Sequence, residues 1–279
     1  MAIRFIKHWS LGLLAAGCVV NAASGLTVNG SGQVLEWGLT PFSSVNGQTQ
    51  LGNLASSIDN NHSPITYPHG LGNIPSPGGA TGEKFDLEEM HARVSGATLE
   101  VLLVSSSDYA ASASGTTYLL GDLLINTDAD SAFEYGLILN NHDGLTRGQL
   151  YQISTTRGLQ QIPGSYWNVP SVTSQVGPWG VLTGTLIDTY SFDPSVTHSY
   201  AGEANTYLKQ FSLELADLGL NPNDPLSLAF QLAWGCGNDV IRLTGEYQPE
   251  NIPGVPEPTT AALGTVALAG LILARRRRA

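Results

Sequence analysis

The residues best placed to do chemistry are Asn126, Asp128, Asp130 and Glu134, in the stretch Asn-Thr-Asp-Ala-Asp-Ser-Ala-Phe-Glu. Oxygen-bearing side chains at alternate positions of a short loop can converge on a hard cation such as Ca2+. The helix–loop–helix calcium pattern is not met. Ser131 stands where that loop needs glycine, and Leu137 where it needs a bidentate glutamate. A different calcium loop would take Glu134, or the remote Asp86 and Glu88, to complete the shell. The same residues also fit a solvated acidic turn, in which Asn and Asp side chains bond their own backbone. Calcium site and plain turn are the two readings of this loop.

Other chemistry is sparse. Cys236 has no base placed beside it by the sequence, and reads as a small buried hydrophobe. The histidines at 62, 69, 91, 142 and 198 show no ligand-like spacing. Glu88, Glu89 and Glu134 could meet as the carboxylate pair of a glycosidase, although an acidic chain offers many such pairs. Trp37, Trp167 and Trp179 read either as core or as a sugar-stacking platform. No nucleophile elbow, zinc-protease helix, phosphate loop or nicotinamide fingerprint occurs, so the expectation is a protein that is not an enzyme.

The elements that would position these groups are strands. Leu226–Trp234 places a large side chain at every second position, the period of a strand with one buried face. Met90–Val94 and Leu99–Val104 flank Ser95-Gly96 as a hairpin, and the second of these is apolar on both faces after Glu100, which predicts a covered central strand. Further strands are expected at Val34–Leu39, Tyr118–Ile125, Phe133–Leu139, Gln149–Ser154, Val181–Tyr190, Tyr207–Leu215 and Val240–Glu246. In Phe133–Leu139 the alternation would turn Phe133, Tyr135, Leu137 and Leu139 to the core. No helix of ten or more residues is expected between the chain's two apolar ends. Residues 25–250 therefore read as an all-β, antiparallel β-sandwich.

Both ends are apolar and flanked by charge. Arg4 and Lys7 precede an apolar run at Leu11–Val20, and Val20-Asn21-Ala22 supplies small residues for signal peptidase, so 1–22 reads as a leader. Ala16-Gly17-Cys18 also resembles a lipobox, which would make Cys18 an acylated residue. At the other end, uncharged 259–274 is slightly short of the ~20 residues that span a bilayer. A thin membrane with snorkelling arginines accommodates it. Arg275, Arg276, Arg277 and Arg278 then act as a membrane stop on the cytoplasmic side. With Arg4, Lys7 and these four set aside, six of the twelve Lys and Arg remain between Gly25 and Pro258 against all 23 Asp and Glu, a net of −17. Such a domain repels nucleic acid and anionic lipid, and suits neutral glycans or divalent cations.

Val255-Pro256-Glu257-Pro258, the apolar span and the terminal arginines together resemble the PEP-CTERM sorting signal of Gram-negative bacteria. Two prolines keep the motif extended and open to a protease-like cleft. The resemblance implies that Val255, Pro256, Glu257 and Pro258 are read by an exosortase after passage through the inner membrane. It further implies delivery to the cell envelope or an extracellular, polysaccharide-rich matrix. Glu36-Trp37-Gly38, Gly82–Met90, Gly121–Asp130, Glu134-Tyr135-Gly136 and Cys236–Ile241 resemble landmarks of a recurrent PEP-CTERM ectodomain, and the layout is similar to DOMON-like and family 9 carbohydrate-binding sandwiches. The implied role is structural or adhesive at the cell surface. The alternative is a calcium-assisted carbohydrate-binding module.

Overall fold

The computed structural model describes residues 26–29, 33–39, 47–58, 85–113, 115–128, 130, 132–158, 177–192, 195–198, 206–235, 237 and 239–249. The leader read at 1–22 and the tail read at 255–279 lie outside these residues, as do Trp167 and Cys236. Among the described residues no helix is long and apolar enough to cross a membrane.

The fold is all-β. Numbered along the chain, one six-stranded sheet runs β1 (Gly47–Leu51), β2 (Leu54–Ile58), β3 (Glu89–Ser95), β4 (Thr98–Ser105), β12 (Thr206–Glu214), β11 (Val196–His198). The second runs β10 (Gly180–Thr189), β9 (Gln149–Arg157), β8 (Tyr135–Leu137), β7 (Leu123–Asn126), β13 (Leu226–Ala233), β14 (Val240–Tyr247). A short hairpin pairs β5 (Ala110–Ala113) with β6 (Thr116–Leu119). All pairings are antiparallel. A 3-10 turn at Leu215–Leu218 follows β12.

The two large sheets share one core. Met90, Leu99 and Phe211 of the first sheet meet Ile125, Phe230 and Leu243 of the second in a single buried cluster. Each such side chain withdrawn from water contributes roughly 1.5–3 kcal/mol. Phe85 sits between Tyr118 and Trp234 in edge-on ring contacts at 5.7 and 5.5 Å. Leu102 and Val104 of β4 face outward instead, under Val34 and Trp37, so that β4 is covered on both sides as its sequence predicts.

Three expectations change. Val34–Leu39 is a turn and not a strand: Trp37 and Gly38 donate back to Val34 and Leu35, and Val34 bridges only to Val28 and Leu39. Its apolar residues cap the outer face of the first sheet, a packing role that mimics strand composition. Tyr118–Ile125 is broken at Gly121-Asp122, where Gly121 N–H bonds Ala233 and Asp122 N–H bonds Trp179. A Cβ at Gly121 would collide with both carbonyls. In Phe133–Leu139 only Tyr135–Leu137 is strand. Leu137 and Leu139 enter the core and Tyr135 packs against it, but Phe133 joins the opposite face with Leu124, Ile138 and Tyr151 because alternation lapses before Tyr135.

Candidate functional site

The acidic loop joins β7 to β8, and its geometry begins with Asn126. That side chain is buried; its amide nitrogen donates to Asp130 O (2.8 Å) and Ala132 O (2.5 Å), and its oxygen accepts Asp128 N–H (3.2 Å). Asp128 Oδ1 accepts Asp130 N–H (3.1 Å), Asp130 Oδ1 accepts Ala132 N–H (2.6 Å), and Glu134 Oε2 accepts Thr127 N–H (2.7 Å). These are the local side-chain-to-backbone closures that Asn and Asp favour in turns. Asp128, Asp130 and Glu134 nevertheless bring three carboxylates within 4.8 Å of one another at the surface. Three of the four candidate ligands therefore converge, while Asn126 organises the loop from beneath. Asp86 and Glu88 are engaged elsewhere: Asp86 beside the buried Asp239, and Glu88 accepting from Ser106 Oγ at 2.6 Å. The donor set suits a hard cation, all of it carboxylate oxygen and partly exposed.

The other polar groups form networks that sequence spacing does not reveal. Asp122, 1% exposed, lies at the break in the second sheet. Its carboxylate accepts Val181 N–H (2.8 Å), Leu139 N–H (3.3 Å) and His142 Nε2 (3.0 and 3.2 Å). His142 reaches on to Asp143 (3.1 Å), which pairs with Arg157, and its ring lies against Trp179. The turn that places His142 takes Asp143 and Gly144 into the left-handed region, φ 48° and 83°, as a two-residue hairpin turn requires. A Cβ at Gly180 would sit 2.5 Å from Asp122 Oδ2, so glycine is needed for this approach.

On the outer face of the first sheet, cross-strand partners Ser56 and His91 meet at 2.8 Å through Oγ and Nδ1, and His91 Nε2 bonds Glu89 at 2.8 Å. All three side chains are buried. The order nucleophile, base, acid is that of a hydrolytic triad, and the Ser56 hydroxyl is buried with its two partners. Glu89 is thus bonded to His91 within the first sheet, Glu88 to Ser106 beside it, and Glu134 holds the acidic loop. Trp37 and Trp179 are both buried, the first packed with Val34, Leu102 and Val104 and donating to Gln210 (2.9 Å) beneath Arg93, the second beside His142. They serve the core and not a shared stacking platform.

Lys209 of β12 is 1% exposed, and donates to Ser105 Oγ (2.7 Å) and Ser107 O (3.0 Å) between the rings of Tyr109 and Tyr207. Nothing in Tyr-Leu-Lys-Gln-Phe signals a buried cation. His91 with Glu89 had a weak signal, since residues two apart on a strand share a face.

No protein-family model, no curated protein and no solved structure matches the chain.

Proposed function

We propose that the chain is an exported envelope or extracellular-matrix protein whose β-sandwich is structural or adhesive and not catalytic. The observation that carries this reading is the sequence of the tail, in which Val255-Pro256-Glu257-Pro258, an uncharged span at 259–274 and Arg275–Arg278 follow one another, matched by a leader at 1–22. Signal peptidase and an exosortase are its partners in transit, and the inner membrane holds the tail at least transiently. In a Gram-negative host lacking exosortase, the chain is expected to accumulate in the inner-membrane fraction; restoring the enzyme releases it to the outer envelope or medium. Equal release from both strains would overturn the reading.

A second reading, calcium-assisted carbohydrate binding, is favoured by the convergence of Asp128, Asp130 and Glu134. A dication there would relieve their mutual repulsion. Binding only to the folded form adds RT ln(1 + [L]/Kd), about 2.7 kcal/mol at a hundredfold excess. For a domain this large that raises the melting temperature by roughly 5–10 °C. On this reading, melts of the full chain in excess calcium and in chelator differ by that amount, and Asp128→Ala or Asp130→Ala removes the difference. A melt that chelator leaves unmoved makes the loop an acidic turn. A glycan array with and without calcium tests the ligand.

A further inference from the structure

The second sheet ends on β14, whose outer edge carries the N–H and C=O groups of alternate residues from Arg242 to Gln248. An uncovered edge of this kind recruits another strand. Here side chains cover it. Gln48 Nε2 donates to Arg242 O (3.2 Å), and its Oε1 accepts Thr244 N–H (3.2 Å). Gln50, which also donates to Gly52 O at 2.5 Å, takes both backbone groups of one residue, Glu246, donating at 3.1 Å and accepting at 3.2 Å. Asn53 does so on Gln248, both bonds at 2.8 Å. A primary amide offers a donor beside an acceptor, as a peptide does, so these three side chains imitate a missing strand. β1, which carries Gln48 and Gln50, is exposed along its whole length, with Leu51 79% exposed. Pairing with β2 and these amides hold it in place; side-chain burial does not.

We propose that β1 and Asn53 form a removable guard, and that the edge beneath pairs with β14 of a second copy. Charge register selects this occupant. The outward backbone groups belong to even-numbered residues, so antiparallel pairing of two copies must set even against even. Centred on Thr244, the pairing places Arg242 opposite the second copy's Glu246 twice, once on each side of the twofold axis. A shift of two residues either way puts Arg242 opposite Thr244 or Gln248 and matches no charges. Both side chains already stand in one row on the outer face, Arg242 bonded to Gln231 Oε1 (2.8 Å) and Glu246 to Ser227 Oγ (2.7 Å) of β13. β14 lies against β2 and β3, so β1 projects past it and must swing aside before two such edges meet. The guard thus keeps copies apart until β1 is displaced. This inference does not depend on the export reading.

The test is sedimentation velocity on the full chain in mild detergent, with Gln48→Thr and Gln50→Thr together. Threonine favours a strand but is too short to reach β14. The double variant is expected to dimerise at least tenfold more tightly than the unaltered chain. Adding Glu246→Arg should return it to the unaltered level, and adding Arg242→Glu as well should restore the dimer. Hydrogen exchange at Thr244 and Glu246 should be fast in dilute variant and slow in concentrated variant. If the threonines unfold the β1–β2 hairpin, the edge is bared all the same and the charge dependence is still expected. Asn53→Ala, which leaves β1 intact, should give a smaller gain in the same direction. Association no tighter than in the unaltered chain, or a dimer indifferent to Glu246→Arg, would overturn the proposal.

Discussion

Replacing Lys209 with methionine is expected to abolish a rise in stability that the unaltered protein shows above neutral pH. Burial pushes the Lys209 ammonium down to about 7, with Asp108 pulling it back up and Arg147 pushing it further down. In the unfolded chain the same amine titrates at about 10.4. Between those values the unfolded state holds a proton that the folded state has released, so stability rises with pH. The contribution is fully present above the unfolded value and is lost as pH falls through about 7. The slope reaches about 1.4 kcal/mol per pH unit, so two units give roughly 2–3 kcal/mol, or a melting temperature higher by roughly 5–10 °C. Asp239 acts in the opposite sense and in a lower window. Burial raises its carboxyl, against the lowering bonds from Leu87 and Val240 N–H and from Asp86, so its contribution is present at low pH and is lost as pH rises. Melts of both chains from neutrality upward therefore isolate Lys209. A methionine variant that keeps the slope would show that the ammonium stays charged in the folded protein.

Asp122→Ala is expected to cost on the order of 3–5 kcal/mol, the range for removing one partner of a buried charged network. The carboxylate accepts from Leu139 on one side of the sheet break and Val181 of β10 on the other, and receives His142 between them. Alanine leaves those backbone donors buried without an acceptor. It also leaves His142 bonded only toward Asp143 at the surface. His142→Ala should cost less, because Asp122 keeps both backbone donors. Urea unfolding measures both variants; a loss below about 1 kcal/mol for Asp122→Ala would mean that water substitutes for the carboxylate at this break.

What could be read in advance follows from how local each signal is. Leu226–Trp234 was legible because β13 keeps one face in the core for its whole length. The hairpin at Ser95-Gly96 was legible because its turn is local, with Gly96 at φ 57°. β1 and β2 were missed, since Gln-Thr-Gln and Ser-Ser carry no apolar alternation, although Gly52-Asn53 between them is a hairpin turn signal. Val34–Leu39 misled because residues that cap a sheet have the composition of residues that form one. The acidic loop was visible because its carboxylates are neighbours in sequence. Asp122 with His142, Ser56 with His91, and Lys209 with Ser105 were invisible, because strand register alone brings such distant residues together.

The most direct test of the proposed export is the intact mass of the chain recovered from outside its host cell. The expected species begins after Ala22 and lacks Arg275–Arg278, with its new C-terminus near Val255–Pro258. Loss of exosortase should return the arginine-bearing tail to the mass. A chain that starts at Met1 and keeps Arg275–Arg278 in a cytoplasmic fraction would contradict the proposal outright.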